Sequence, residues 1–136
     1  MTEAVVRKTG GVPSNYAIIL FGLFFFPIQI VAIFFAKKRR YDGDDWERSH
    51  YEMQYRSAAA YLAIELALFI IGAVALRLTP ARNVAEVASL RTWMGFITFA
   101  GYVPLAWLAI RCIRGLFLAG AKAPLANPRS YTIWPH

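Results

Sequence analysis

The chain has 136 residues, one domain by length, with 58% hydrophobic residues, 15% aromatics and a formal net charge of +7. That apolar share exceeds the roughly 45–50% of soluble domains. With apolar runs this long, the positive charge suits anionic lipid and leaves no call for nucleic acid. The single cysteine, Cys112, excludes an intramolecular disulfide and a multi-cysteine metal site, and its expected role is inert packing.

In chain order, the first element is the apolar run over residues 16–36, "YAIILFGLFFFPIQIVAIFFA". It is long enough to cross a bilayer core, which takes about 20 apolar residues. It is too long for the apolar core of a cleavable signal, and "FAKKRR" offers no small-residue cleavage site, so it is expected to remain as a signal-anchor. Pro27 predicts a kink that frees the Leu23 carbonyl.

A charged segment follows over residues 37–57. Lys37, Lys38, Arg39 and Arg40 sit directly after an apolar run, where cations set orientation and attract anionic headgroups. "DGDD" resembles a calcium loop only at its start. Counted from Asp42, the sixth and twelfth places hold Glu47 and Met53 instead of glycine and glutamate, so a calcium loop is excluded. Asp44 followed three residues later by Glu47 predicts a capping box and a helix that runs on into the next span. Arg48, Glu52 and Arg56 are spaced for ion pairs along one side of it. Trp46, His50 and Met53 lie on another side, suited to an interface or a partner.

The second span is predicted over residues 58–78 and the third over residues 93–110, with Pro104 as a second kink. Residues 111–136 read as an interfacial segment carrying Arg111 and Arg114. The expected fold is therefore an all-α polytopic membrane protein with three transmembrane helices, the second extended into the cytoplasm by an amphipathic helix. Placing the N-terminus outside and the C-terminus inside leaves ten cations facing the cytoplasm and five facing away, the sense favoured for loops. Tyr16 and Trp93 then mark the outer interface, and Tyr41, Trp46 and Trp134 the inner one.

Glu65 is the one carboxylate well inside a predicted span, and ionisable residues at that depth suggest function or a subunit contact. Equal helical rise brings Gln29, Glu65 and Tyr102 into one layer, roughly 12 Å from the inner boundary. Ala59, Ala63 and Ala67 form a small-residue stripe that invites close packing. There is no nucleophile elbow, phosphate-binding loop, dinucleotide fingerprint or Cys/His constellation, so no catalytic residue, cofactor or metal ligand is assigned.

Three stretches carry a family resemblance: "DDWERSHYEMQYRS", "RCIRGLFLA" and "ANPRSYTIW". The residues concerned are Trp46, Ser49, His50, Tyr51, Gln54 and Arg56; then Arg111, Arg114, Gly115 and Leu116; then Asn127, Pro128, Ser130 and Tyr131. With them the chain resembles a family of small, uncharacterised bacterial inner-membrane proteins, similar in hydropathy to the membrane subunit of the chloroplast inner-envelope import machinery. The resemblance implies a multi-pass protein of the bacterial inner membrane. It groups His50, Gln54, Arg56, Arg111 and Arg114 at the inner face. Together with Lys37, Lys38, Arg39, Arg40 and Trp46, these are the expected lipid-headgroup or docking residues. The expected function is non-catalytic, an accessory subunit packed against other integral membrane subunits. The alternative is a transport or protein-translocation component with an oligomeric path near Glu65.

Overall fold

The computed structural model describes residues 11–134, which form four helices and no strand. They are α1 (Gly11–Gly22), α2 (Phe26–Arg39), α3 (Asp45–Leu78) and α4 (Val84–Gly120). At 34 and 37 residues, α3 and α4 rise about 51 and 56 Å, well beyond a hydrocarbon core of about 30 Å. Among the described residues these two helices, and not three, are long and apolar enough to cross a membrane. Residues 58–78 and 93–110 lie inside them, so the charged approach to the second span and the first turns after the third belong to the same continuous helices.

The first apolar run is the correction. It is divided, and its second half folds back on its first. α1 winds out through Leu23 N–H to Leu20 O (3.3 Å) and Phe24 N–H to Phe21 O (3.1 Å). Phe25 is extended, and α2 opens with Ile28 N–H to Phe25 O at 3.0 Å. Pro27, expected to kink one helix, instead starts a new one, because in a first turn its missing N–H costs nothing.

At the apex Gly22 lets the two backbones meet. A Cβ there would stand 2.9 Å from Gln29 N and 3.0 Å from Gln29 Cα. Further down, Asn15 Nδ2 donates to Ala32 O at 3.3 Å. Gly11 lies against the Arg39 guanidinium and the Tyr51 hydroxyl. Both ends of the run are thus at the same end of the bundle. The outward N-terminus expected from the cation count concerns residues 1–10, which lie outside the described residues.

Arg40 to Asp44 turn the chain into α3, with Gly43 at φ 88° where a side chain would be strained. The capping box forms as expected, Asp44 N–H donating to Glu47 Oε2 at 2.9 Å. α4 starts on Asn83, whose side chain accepts from Glu86 N–H at 2.9 Å. It ends in a Schellman motif: Ala123 N–H reaches Leu118 O (2.9 Å) and Lys122 N–H reaches Ala119 O (3.0 Å). Lys122 takes the left-handed position at φ 52°, which glycine usually fills. The chain then returns as an irregular tail over residues 121–134.

The core sits at this charged end. Tyr16 and Ile19 from α1, Ala32 from α2, Met53 and Ala58 from α3, and Leu108 from α4 are fully buried there. The far halves of α3 and α4 mainly meet each other, as where Gly72 faces the methyl of Met94. Only 11% and 22% of the apolar windows of α3 and α4 are buried within the protein. Of the small-residue stripe, Ala63 and Ala67 are exposed, and Ala63 lines a hollow with Ile33 and Phe34 of α2.

Candidate functional site

Two polar groups of residues stand out, one in the charged-end core and one at mid-span. The first begins on α3. Of the expected ion-pair ladder, Arg56 Nε meets Glu52 Oε1 at 2.8 Å, whereas Arg48 pairs with Asp45. Glu52 also draws Arg40 and the tail residue Arg129, each at 3.8 Å.

The other side of this helix turns inward. His50, Met53 and Gln54 are buried, so the side expected to await a partner is packed against the protein's own α1 and tail. His50 Nε2 lies 2.9 Å from Ala123 O, and its Nδ1 lies 2.7 Å from the Tyr16 hydroxyl. A carbonyl only accepts, so Nε2 carries the proton, and in the neutral ring Nδ1 accepts from Tyr16. Gln54 works the same way one turn on. Its Nε2 donates to Val12 O at 3.1 Å and its Oε1 accepts from Asn15 Nδ2 at 2.7 Å. Tyr16, expected at the outer interface, is fully buried at the charged end. Gly115 makes room for it, since a Cβ there would come within 2.8 Å of Tyr16 Cε1.

Arg111 is also fully buried within the protein. Its Nε donates to Ser57 Oγ at 3.0 Å and its Nη2 to Ser130 O at 2.7 Å, while Nη1 bonds Thr132 O. Its guanidinium stands 5.2 Å from the Trp107 ring centre, and Trp107 Nε1 donates to Tyr131 O at 3.1 Å. Arg56 and Arg114 engage the same tail, through the Tyr131 hydroxyl at 3.5 Å and over the Trp134 ring at 5.1 Å. Ser49 adds a contact near the start of the tail, its hydroxyl accepting from Leu125 N–H at 3.0 Å. The residues grouped by the "SHYEMQYRS", "RCIRG" and "NPRSY" stretches therefore meet, but they meet one another. Three of the expected docking residues, His50, Gln54 and Arg111, are buried. Lys37, Lys38 and Arg39 are exposed, and Arg40 and Trp46 are half-buried.

The second group lies at mid-span. Glu65 and Tyr102 line one cleft of about 500 Å³ between α3 and α4, with Leu23 from the hairpin apex on its rim. Gln29, expected in the same layer, does not line it. It is fully buried against Gly22, with both amide atoms unpaired. Glu65 stands close to Gly101, and its shielded Oε1 has no hydrogen-bond partner.

Asn15, Tyr16, Ser57 and Gly115 were not singled out as core contacts by sequence reasoning. Their partners lie tens of residues away, and no local spacing links them. Among the described residues no group of three or more His, Cys, Asp or Glu side chains is placed to hold a metal. Compared with family models, curated proteins and solved structures, the chain matches none.

Proposed function

We propose that this protein is a non-catalytic subunit of a bacterial inner membrane, packed against a larger complex through the Glu65 side of α3 and α4. Glu65 carries the reading. An acidic side chain at the centre of a bilayer costs on the order of 3 kcal/mol unless it is paired or enclosed. Here one carboxylate oxygen is shielded yet unpaired, in a cleft walled by two helices and open to the side. A neighbouring membrane protein that supplies a donor would close the cleft and satisfy the acid. The exposed apolar surface of both helices and the resemblance to small inner-membrane proteins support the same reading.

In this reading α3 and α4 cross the membrane, α1 and α2 dip in and return, and the charged end faces the cytoplasm. Lys37, Lys38 and Arg39 then hold anionic headgroups.

A photo-crosslinking side chain in place of Phe69, which lines the cleft and is exposed, tests the proposal in cells. Expected is a discrete adduct with one larger membrane protein, which co-purifies in mild detergent and is lost with Glu65→Leu. If the chain purifies alone and monomeric and captures lipid only, the subunit reading fails. Adducts between copies of this chain would favour an oligomeric transport or translocation path near Glu65. Glu65→Gln should then abolish flux in vesicles.

A further inference from the structure

On the other side of the α3–α4 seam from Glu65 lies a larger groove of about 910 Å³. Ala60 and Ala100 leave room in it, and Ile64, Phe99, Val103 and Trp107 give it apolar walls. Ile110 passes it into a second hollow formed by Arg114, Phe117 and Trp134. From Phe99 to Arg114 the helix rises about 22 Å, more than one leaflet of a hydrocarbon core about 30 Å thick.

Arg114 stands at the charged end of this path. Its guanidinium is held over Trp134 at 5.1 Å, its Nε is shielded without a hydrogen-bond partner, and no carboxylate pairs with it among the described residues. We propose that the groove holds one anionic phospholipid, with an acyl chain along α4 and its phosphodiester on Arg114.

Charge and shape both select this occupant. A planar guanidinium that no carboxylate among the described residues neutralises matches phosphate oxygens in geometry and sign through its outer nitrogens. The apolar path leads from that donor away from the charged end, as an acyl chain does from its headgroup. Tyr131 and Ile133 also line the groove, so the tail covers part of its charged end. That leaves a passage for a flexible chain and crowds out a helix about 10 Å across. The inference needs no partner at Glu65, although Leu68 and Tyr102 line both hollows.

Native mass spectrometry of the purified full chain tests it, after exchange into mixed micelles containing phosphatidylglycerol or phosphatidylcholine. Expected is a single retained phosphatidylglycerol, bound about fivefold more weakly by Arg114→Gln and unchanged by Arg48→Gln, an exposed cation outside the groove. Ala100→Leu and Ala60→Leu, which fill the groove and leave Arg114 itself unchanged, should abolish retention. If one of the two does not fold, the other decides. Equal weakening by Arg114→Gln and Arg48→Gln, or full retention in a folded leucine variant, would overturn the proposal. So would equal retention of phosphatidylcholine.

Discussion

At the scale of single residues, the charged-end core depends on polar side chains that have each found a partner. Tyr16 and His50 illustrate the consequence. Removing the Tyr16 hydroxyl leaves the buried His50 Nδ1 without its donor, which costs about 1–3 kcal/mol. In a double-mutant cycle, Tyr16→Phe and His50→Leu should therefore be strongly non-additive in detergent unfolding. Additive effects would mean the bond contributes nothing. Gly115→Ala attacks the same pair sterically. Its methyl meets a buried ring that has nowhere to swing, so a loss of about 1–3 kcal/mol is expected. Gly95→Ala, where nothing lies within 4 Å, is the control and should shift the unfolding midpoint little. In the sequence, His50 reads as part of a side suited to an interface or a partner, whereas it is buried in the protein's own core. Its partner Tyr16, 34 residues away, reads equally well as an interface aromatic, because local spacing says nothing about which distant helix packs against it.

At the scale of elements, a membrane crossing and a helical pair that enters and returns can have the same composition. Length and hydropathy over residues 16–36 fit either. The physical difference lies in two residues: Pro27, which has no N–H to bond to a preceding turn, and Gly22, which lets backbones touch at the apex. Both were visible, but a proline alone is compatible with a kinked span, and the glycine acquires meaning only once the chain folds back. The long helices were legible because charge, cap and apolar pattern all agree along them. Where the terminal segment goes was not, since Arg111 gives no sign in sequence of whether it binds lipid or its own tail.

That clasp is testable. Arg111→Gln removes charge-assisted bonds to Ser130 and Thr132 carbonyls, each worth about 1.5–3 kcal/mol. Tryptic cleavage after Arg129 should then quicken by roughly tenfold or more. Unchanged cleavage would show that the tail is held by other contacts. The end of α4 offers a gain instead. Lys122→Gly relieves a left-handed backbone that costs a side chain about 1 kcal/mol, and thermal unfolding should shift upward.

At the scale of the whole molecule, the folded-back pair changes which side each segment faces. With three crossings, Ser14 and Ala81 share one side of the membrane and Asp42 the other. With α3 and α4 as the only crossings, Ser14 joins Asp42, because Gly11 lies beside Arg39 and Tyr51. The described cations fall on the same sides in either arrangement, so they orient the bundle without choosing between the two. Of the described cations, ten lie in the α2–α3 connection, its flanks and the C-terminal part, while Arg77, Arg82 and Arg91 lie at the far end. Loops rich in Lys and Arg stay in the cytoplasm, so the α2–α3 turn and the tail should face inward together. Single cysteines at positions 14, 42, 81 and 126, in a Cys112→Ala background, distinguish the two with a membrane-impermeant thiol reagent. Cys112 is buried, so its replacement removes background without opening a surface. Ser14→Cys, Asp42→Cys and Ala126→Cys should all label from the cytoplasmic side, and Ala81→Cys from the opposite side. Labelling of Ser14→Cys together with Ala81→Cys would restore the three-span topology and remove the folded-back pair.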